Sequence, residues 1–162
     1  MSLAPDAALR LAFLARVVKR EVALLQETRG LLFEPNTDGD APWHLPAGDL
    51  PMPLAERLDA FVARFARLQD TVGDKLLPAL LAAVAEPVGA AIDNLNRAER
   101  LGWLESVELW RSVRALRNQM IHEYVEDRHA LESALIAARD AVSMLCETAV
   151  RLGDEVARRM EQ

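Results

Sequence analysis

Arg117, Asn118 and His122 fall within six consecutive residues, and Glu123 and Tyr124 follow at once. Arginine carries a permanent positive charge on a planar fork of donors that matches the oxygens of a phosphate. Histidine, with an unperturbed pKa near ~6.5, gives or takes a proton at neutral pH. Asn118 adds a polar amide that both donates and accepts. Such a set is equipped to cleave a phosphodiester without a metal. The cation stabilises charge developing on the phosphate while the imidazole moves the proton. Arg111 and Arg114, two turns and one turn upstream, are either further phosphate contacts or solvated surface arginines.

The stretch lies near the end of a helical pattern that Ser106 is suited to cap. At 100° per residue Leu109, Val113, Leu116, Met120 and Tyr124 share one face, flanked by Trp110 and Ile121. Arg114, Asn118 and His122 are spaced i, i+4, i+8 and line one flank just outside that apolar arc. Arg117 falls inside the arc, where a guanidinium needs a carboxylate, a carbonyl or a bound phosphate. Five residues separate Arg117 from His122 by roughly 140° around the axis, so one copy does not aim both groups easily at one point. Two antiparallel copies would bring both to a shared groove, and an isologous interface is the commonest kind.

The remaining elements read as scaffold for this stretch. Leu11, Leu14, Val18, Val22 and Leu25 mark a first helix from Pro5-Asp6 to Pro35. Leu9, Phe13 and Val17 widen its stripe, so this helix is expected to touch more than one neighbour. Residues 34–53 hold five of the eight prolines and form a long loop. Within it Trp43 and His44 either pin the loop to the core or belong to a lid. Leu54, Leu58, Phe61, Phe65, Leu68, Val72 and Leu76 mark a second helix, with a kink or break expected at Pro78. A short helical piece spans about 88–100, and Gly102 ends it. Asp127 is placed to cap the last helix, whose Leu131, Leu135, Ala138, Val142, Leu145, Ala149, Leu152 and Val156 form a heptad-like seam. The expected fold is all-α: a single domain over 1–162, an antiparallel up-and-down bundle of four long helices plus a short one.

Composition sets further bounds. The 51% apolar fraction describes a folded globular chain, and the net charge of −6 argues against sequence-blind nucleic-acid binding while leaving room for one basic cleft. A single cysteine, Cys146, has no partner for an internal disulfide and fits a reducing cytoplasm. No secretory signal or membrane-spanning stretch is read. His44, His122 and His129 lack metal-ligand spacing, so neither a metal nor another cofactor is expected. Cys146 lies on the apolar side of the last helix and reads as core rather than nucleophile.

Arg117-Asn118-Gln119-Met120-Ile121-His122 resembles the signature of the HEPN superfamily of helical domains: Arg, a polar residue, three variable residues, then His. His122-Glu123-Tyr124 is similar to the His-x-Tyr ending of the HepT-like toxins and the related nucleotidyltransferase substrate-binding proteins. Gly102-Trp103-Leu104 and Trp110 resemble the same family's lead-in, whereas the long proline-rich loop departs from its pattern. The resemblance implies a HEPN-like bundle and a metal-independent endoribonuclease of a toxin–antitoxin pair, acting as a homodimer on an RNA substrate. His122 would then be the general acid/base, Arg117 would hold the scissile phosphate, and Asn118 would orient one or the other. The implied product is a 2′,3′-cyclic phosphate end. It further implies a small nucleotidyltransferase antitoxin that adds AMP to Tyr124, placing a bulky anion where substrate phosphate should sit. The alternative is a non-catalytic substrate-binding partner subunit of such a nucleotidyltransferase.

Overall fold

Pro5 opens α1 (Pro5–Phe33), where its missing amide costs nothing because a first-turn amide has no helical partner. The computed structural model describes residues 3–34, 42–123 and 127–162. After α1 come α2 (Met52–Asp70), a π-helical turn (Thr71–Leu76), α3 (Leu77–Ala83), α4 (Ala91–Arg100), α5 (Val107–Glu123) and α6 (Arg128–Met160). Every regular element among the described residues is helical. None of their helices is long and apolar enough to cross a membrane.

The count differs from four long helices plus a short one, and the reason is Pro78. Proline cannot donate to the carbonyl four residues back, and its ring crowds that carbonyl. The chain answers upstream rather than by breaking. It widens to a π turn, in which the amide of Leu77 donates to the carbonyl of Val72, five residues earlier. Pro78 then occupies an early position of α3, where no helical amide is required of it. α2, the π turn and α3 follow one another without an intervening loop.

α1 packs on α2 and α6, and α5 packs on the same two helices, so α1 and α5 stand at opposite corners. Side-chain contacts give the directions. Arg64 of α2 donates to Thr28 while Thr71, just past the end of α2, donates to Glu21, so α1 and α2 run antiparallel. The core is one apolar cluster to which all these elements contribute. Leu58, Phe61, Phe65, Leu68, Val72 and Leu76 are all buried, as is every member of the heptad-like seam of α6 from Leu131 to Val156. Asp127 caps α6 by accepting from the amide of Ala130 at 3.0 Å.

Two apolar assignments are corrected. α1 does touch two neighbours, α2 and α6, but not through Leu9 and Phe13, which are 70% and 49% exposed. The rotation of 100° per residue carries them to the side of α1 opposite Leu11 and Val18. On α5, Leu109 and Ile121 are exposed, and the buried line runs through Val107, Trp110, Val113 and Met120.

The proline-rich connection ends in a strap that is pinned down. The indole of Trp43 donates to the Leu32 carbonyl at 3.0 Å and its ring meets Phe33 at 4.7 Å. The Leu45 amide donates to Glu132 at 2.6 Å, and Arg128 donates to the carbonyls of Pro46 and Gly48. Of the two roles open to Trp43, the anchor is the one observed.

α3 and α4 both end in a left-handed residue. Glu86 donates to Leu81 and Ala85 to Ala82 at the end of α3; Trp103 donates to Ala98 and Gly102 to Glu99 at the end of α4. Glycine supplies the turn at Gly102 (φ +77°), but Ala85 (φ +60°) must carry a Cβ there. We expect Ala85→Gly to stabilise the fold and Gly102→Ala to destabilise it, each by about 1 kcal/mol, as read from urea unfolding curves.

Candidate functional site

The first turns of α5 are locked before the candidate residues begin. Ser106 caps the helix by accepting from the Leu109 amide at 3.2 Å. One turn on, Trp110 is buried against the π turn at Gly73, where a Cβ would stand 3.2 Å from the indole. The side chain of Gln69, itself fully buried, donates to the Trp110 carbonyl at 3.2 Å. These contacts set the register of α5 against α2.

That register brings Arg117 to Asp70, the last residue of α2. Arg117 Nη1 lies 2.5 Å from Asp70 Oδ1, and Arg114 Nη1 lies 3.8 Å from the same oxygen. Arg117 is 19% exposed, Asp70 37% and Arg114 45%, so the pair opens to solvent on the Arg114 side. Arg117 Nε is buried and has no hydrogen-bond partner. Of the three partners that a guanidinium in the apolar arc could take, the one present is a carboxylate from another helix.

Asn118, His122 and Arg111 are exposed on the outer flank of α5. Within a single chain, therefore, Arg117 is turned to α2 while His122 stands at the surface roughly 140° around the helix. Arg111 shares an open groove with Glu99 and Glu108, whose charges weaken it as a phosphate contact. Tyr124 lies outside the described residues. His129 is exposed at the start of α6, and His44 sits in the strap with Nδ1 3.4 Å from the Pro42 carbonyl. Cys146 is buried, and burial, with help from Glu147, pushes its thiol up to about 11. It is a core residue, not a thiolate nucleophile.

Two acidic residues beside the π turn escaped sequence reasoning. Asp70 carries no motif, and its partners are 44 and 47 positions away. Only the α2–α5 register reveals it. Glu21 faces the π turn, where Oε1 accepts from Thr71 Oγ1 at 3.1 Å while Oε2 is buried without a partner. Burial raises the Glu21 pKa above its ordinary 4.5, against the opposing pull of the Thr71 hydrogen bond and of Arg67 and Lys75. Comparison of the chain with protein-family models, with curated proteins and with solved structures returned no match.

The raised Glu21 pKa has a definite sign. The folded chain binds its proton more tightly than the unfolded chain, so stability from this group falls as pH climbs above 4.5 through the folded value. Glu21→Gln removes that titration and keeps an acceptor for Thr71. Its stability relative to the parent should therefore increase from pH 4.5 to pH 7.5 in paired urea titrations; a constant difference would refute the assignment.

Proposed function

We propose that this chain is a metal-independent endoribonuclease of HEPN type, a HepT-like toxin that works as a homodimer with a small nucleotidyltransferase as its antitoxin. The carrying observation is the interval from Arg117 to His122 on α5, with Asn118 and His122 exposed and Arg117 held beside Arg114. An all-helical chain with this set late in its order is the setting the resemblance calls for.

In this reading His122 takes the proton of the ribose 2′-hydroxyl or returns one to the leaving 5′-oxygen. Arg117, with Arg114 beside it, holds the scissile phosphate and stabilises the charge it gains. Because one copy aims imidazole and guanidinium at different sides of α5, the imidazole of one subunit serves a phosphate held by the other. The net charge of −6 fits recognition at one local cleft rather than along a broad basic surface. Tyr124, two residues beyond His122, is the acceptor for AMP.

A second reading keeps the partnership and drops the cleavage: a substrate-binding subunit of a nucleotidyltransferase. One observation favours it, namely that Arg117 is already neutralised by Asp70 within its own chain.

Incubation of the purified chain, Arg117→Ala and His122→Ala with RNA in EDTA separates the two. The parent should cleave, leaving 2′,3′-cyclic phosphate ends, and each variant should lose on the order of 100-fold or more in rate. Light scattering should give twice the mass of one chain. Equal cleavage by all three proteins would end the ribonuclease reading. An inactive parent that binds a nucleotidyltransferase would leave the second reading standing.

A further inference from the structure

Asp70 is the only acidic group in contact with Arg114 and Arg117 among the described residues, and it meets both through one oxygen, Oδ1. Arg117 hydrogen-bonds that oxygen and Arg114 stands within ion-pair distance of it at 3.8 Å, so the two guanidiniums flank an oxyanion position with one positive charge left over. Carboxylate and phosphate offer the same arrangement of oxygens to a planar fork of N–H donors. The position of the Asp70 carboxylate is therefore a position that a phosphate oxygen would take between the same two arginines.

We infer that Asp70 is an internal stand-in for the substrate phosphate: it parks Arg114 and Arg117 in the geometry for an oxyanion and is displaced when a phosphodiester enters. The inference rests on the proposed ribonuclease reading for the identity of its ligand.

Three features make displacement feasible. Asp70 is 37% exposed, so its carboxylate can be rehydrated on leaving. An ion pair open to water is weak and yields to a competing anion. Arg117 is 19% exposed and cannot follow the carboxylate outward, because Nε is enclosed and α5 is locked at Trp110. Asp70 itself lies within continuous helical backbone, at the end of α2 and directly before the π turn. Only the short carboxylate arm and the more exposed Arg114 need move.

A brace and a stand-in differ in what happens when the charge of Asp70 is removed. A brace that is lost leaves anion binding unchanged or weaker. A stand-in that is lost leaves two arginines free and raises the affinity for anions. The test uses the full chain, Asp70→Asn, Asp70→Glu and Arg114→Gln, with a fluorescently labelled 2′-O-methyl oligoribonucleotide that lacks the hydroxyl needed for cleavage. Affinity is read by anisotropy, in competition with inorganic phosphate.

Asp70→Asn should bind about fivefold tighter, and Asp70→Glu should stay near the parent value. Arg114→Gln, a change at an exposed position, should bind about fivefold weaker with an unchanged Tm. In cleavage assays Asp70→Asn should lower KM by a similar factor and leave kcat within about twofold, since the carboxylate is already displaced in the bound complex. Asp70→Asn that binds no tighter, or Arg114→Gln that binds as well as the parent, overturns the inference. The binding arm does not need turnover. A parent that never cleaves, combined with tighter binding by Asp70→Asn, sinks the ribonuclease reading and keeps the anion site. Cleavage that depends on His122 without any affinity change at position 70 does the reverse.

Discussion

Trp110 occupies a notch that exists because residue 73 has no side chain and because the helix there is wound wider than an α-helix. The indole lies where a Cβ on Gly73 would press at 3.2 Å, and Gln69 holds the backbone of the same residue from below. Burying a tryptophan in this way is worth about 3–5 kcal/mol by the usual cost of its truncation. Slippage of α5 by one residue would turn every side chain on it by 100° and take Arg117 away from Asp70. The charged centre is a consequence of this apolar lock.

The charges on the two sides of the wide turn are arranged with unequal cost. Arg117 and Glu21 both give up hydration, and each leaves one atom without a partner, Nε in one and Oε2 in the other. The guanidinium keeps its charge regardless. The carboxyl responds instead by holding its proton more tightly. Both flank the wide turn from Thr71 to Leu76, Glu21 from α1 and Arg117 from α5. Irregular helical turns often mark functional positions, and here the irregularity itself follows from Pro78.

The far end of the bundle is closed by other means. The strap from Trp43 to Gly48 is tied to the end of α1 and to the first turns of α6, through Trp43, Glu132 and Arg128. α6 begins five residues after α5 ends, so this strap buttresses the end of the molecule at which His122 is exposed.

Periodicity determined most of the architecture. The seam of α6, the apolar series of α2 and the caps at Ser106, Asp127 and Gly102 are local properties, set by side-chain volume and by the unpaired backbone groups at helix ends. The outward turn of Leu9 and Phe13, and the exposure of Leu109 and Ile121, were not legible, because a helical stripe says which residues share a face but not how wide the neighbouring helix is. In the same way the need of Arg117 for an anion follows from its place in the apolar arc. Which anion answers that need was decided only by folding. Asp70 and Arg117 are 47 residues apart, and no local rule links them. They meet because a proline forces a wide turn, the turn and Gly73 admit a tryptophan, and the tryptophan sets the register.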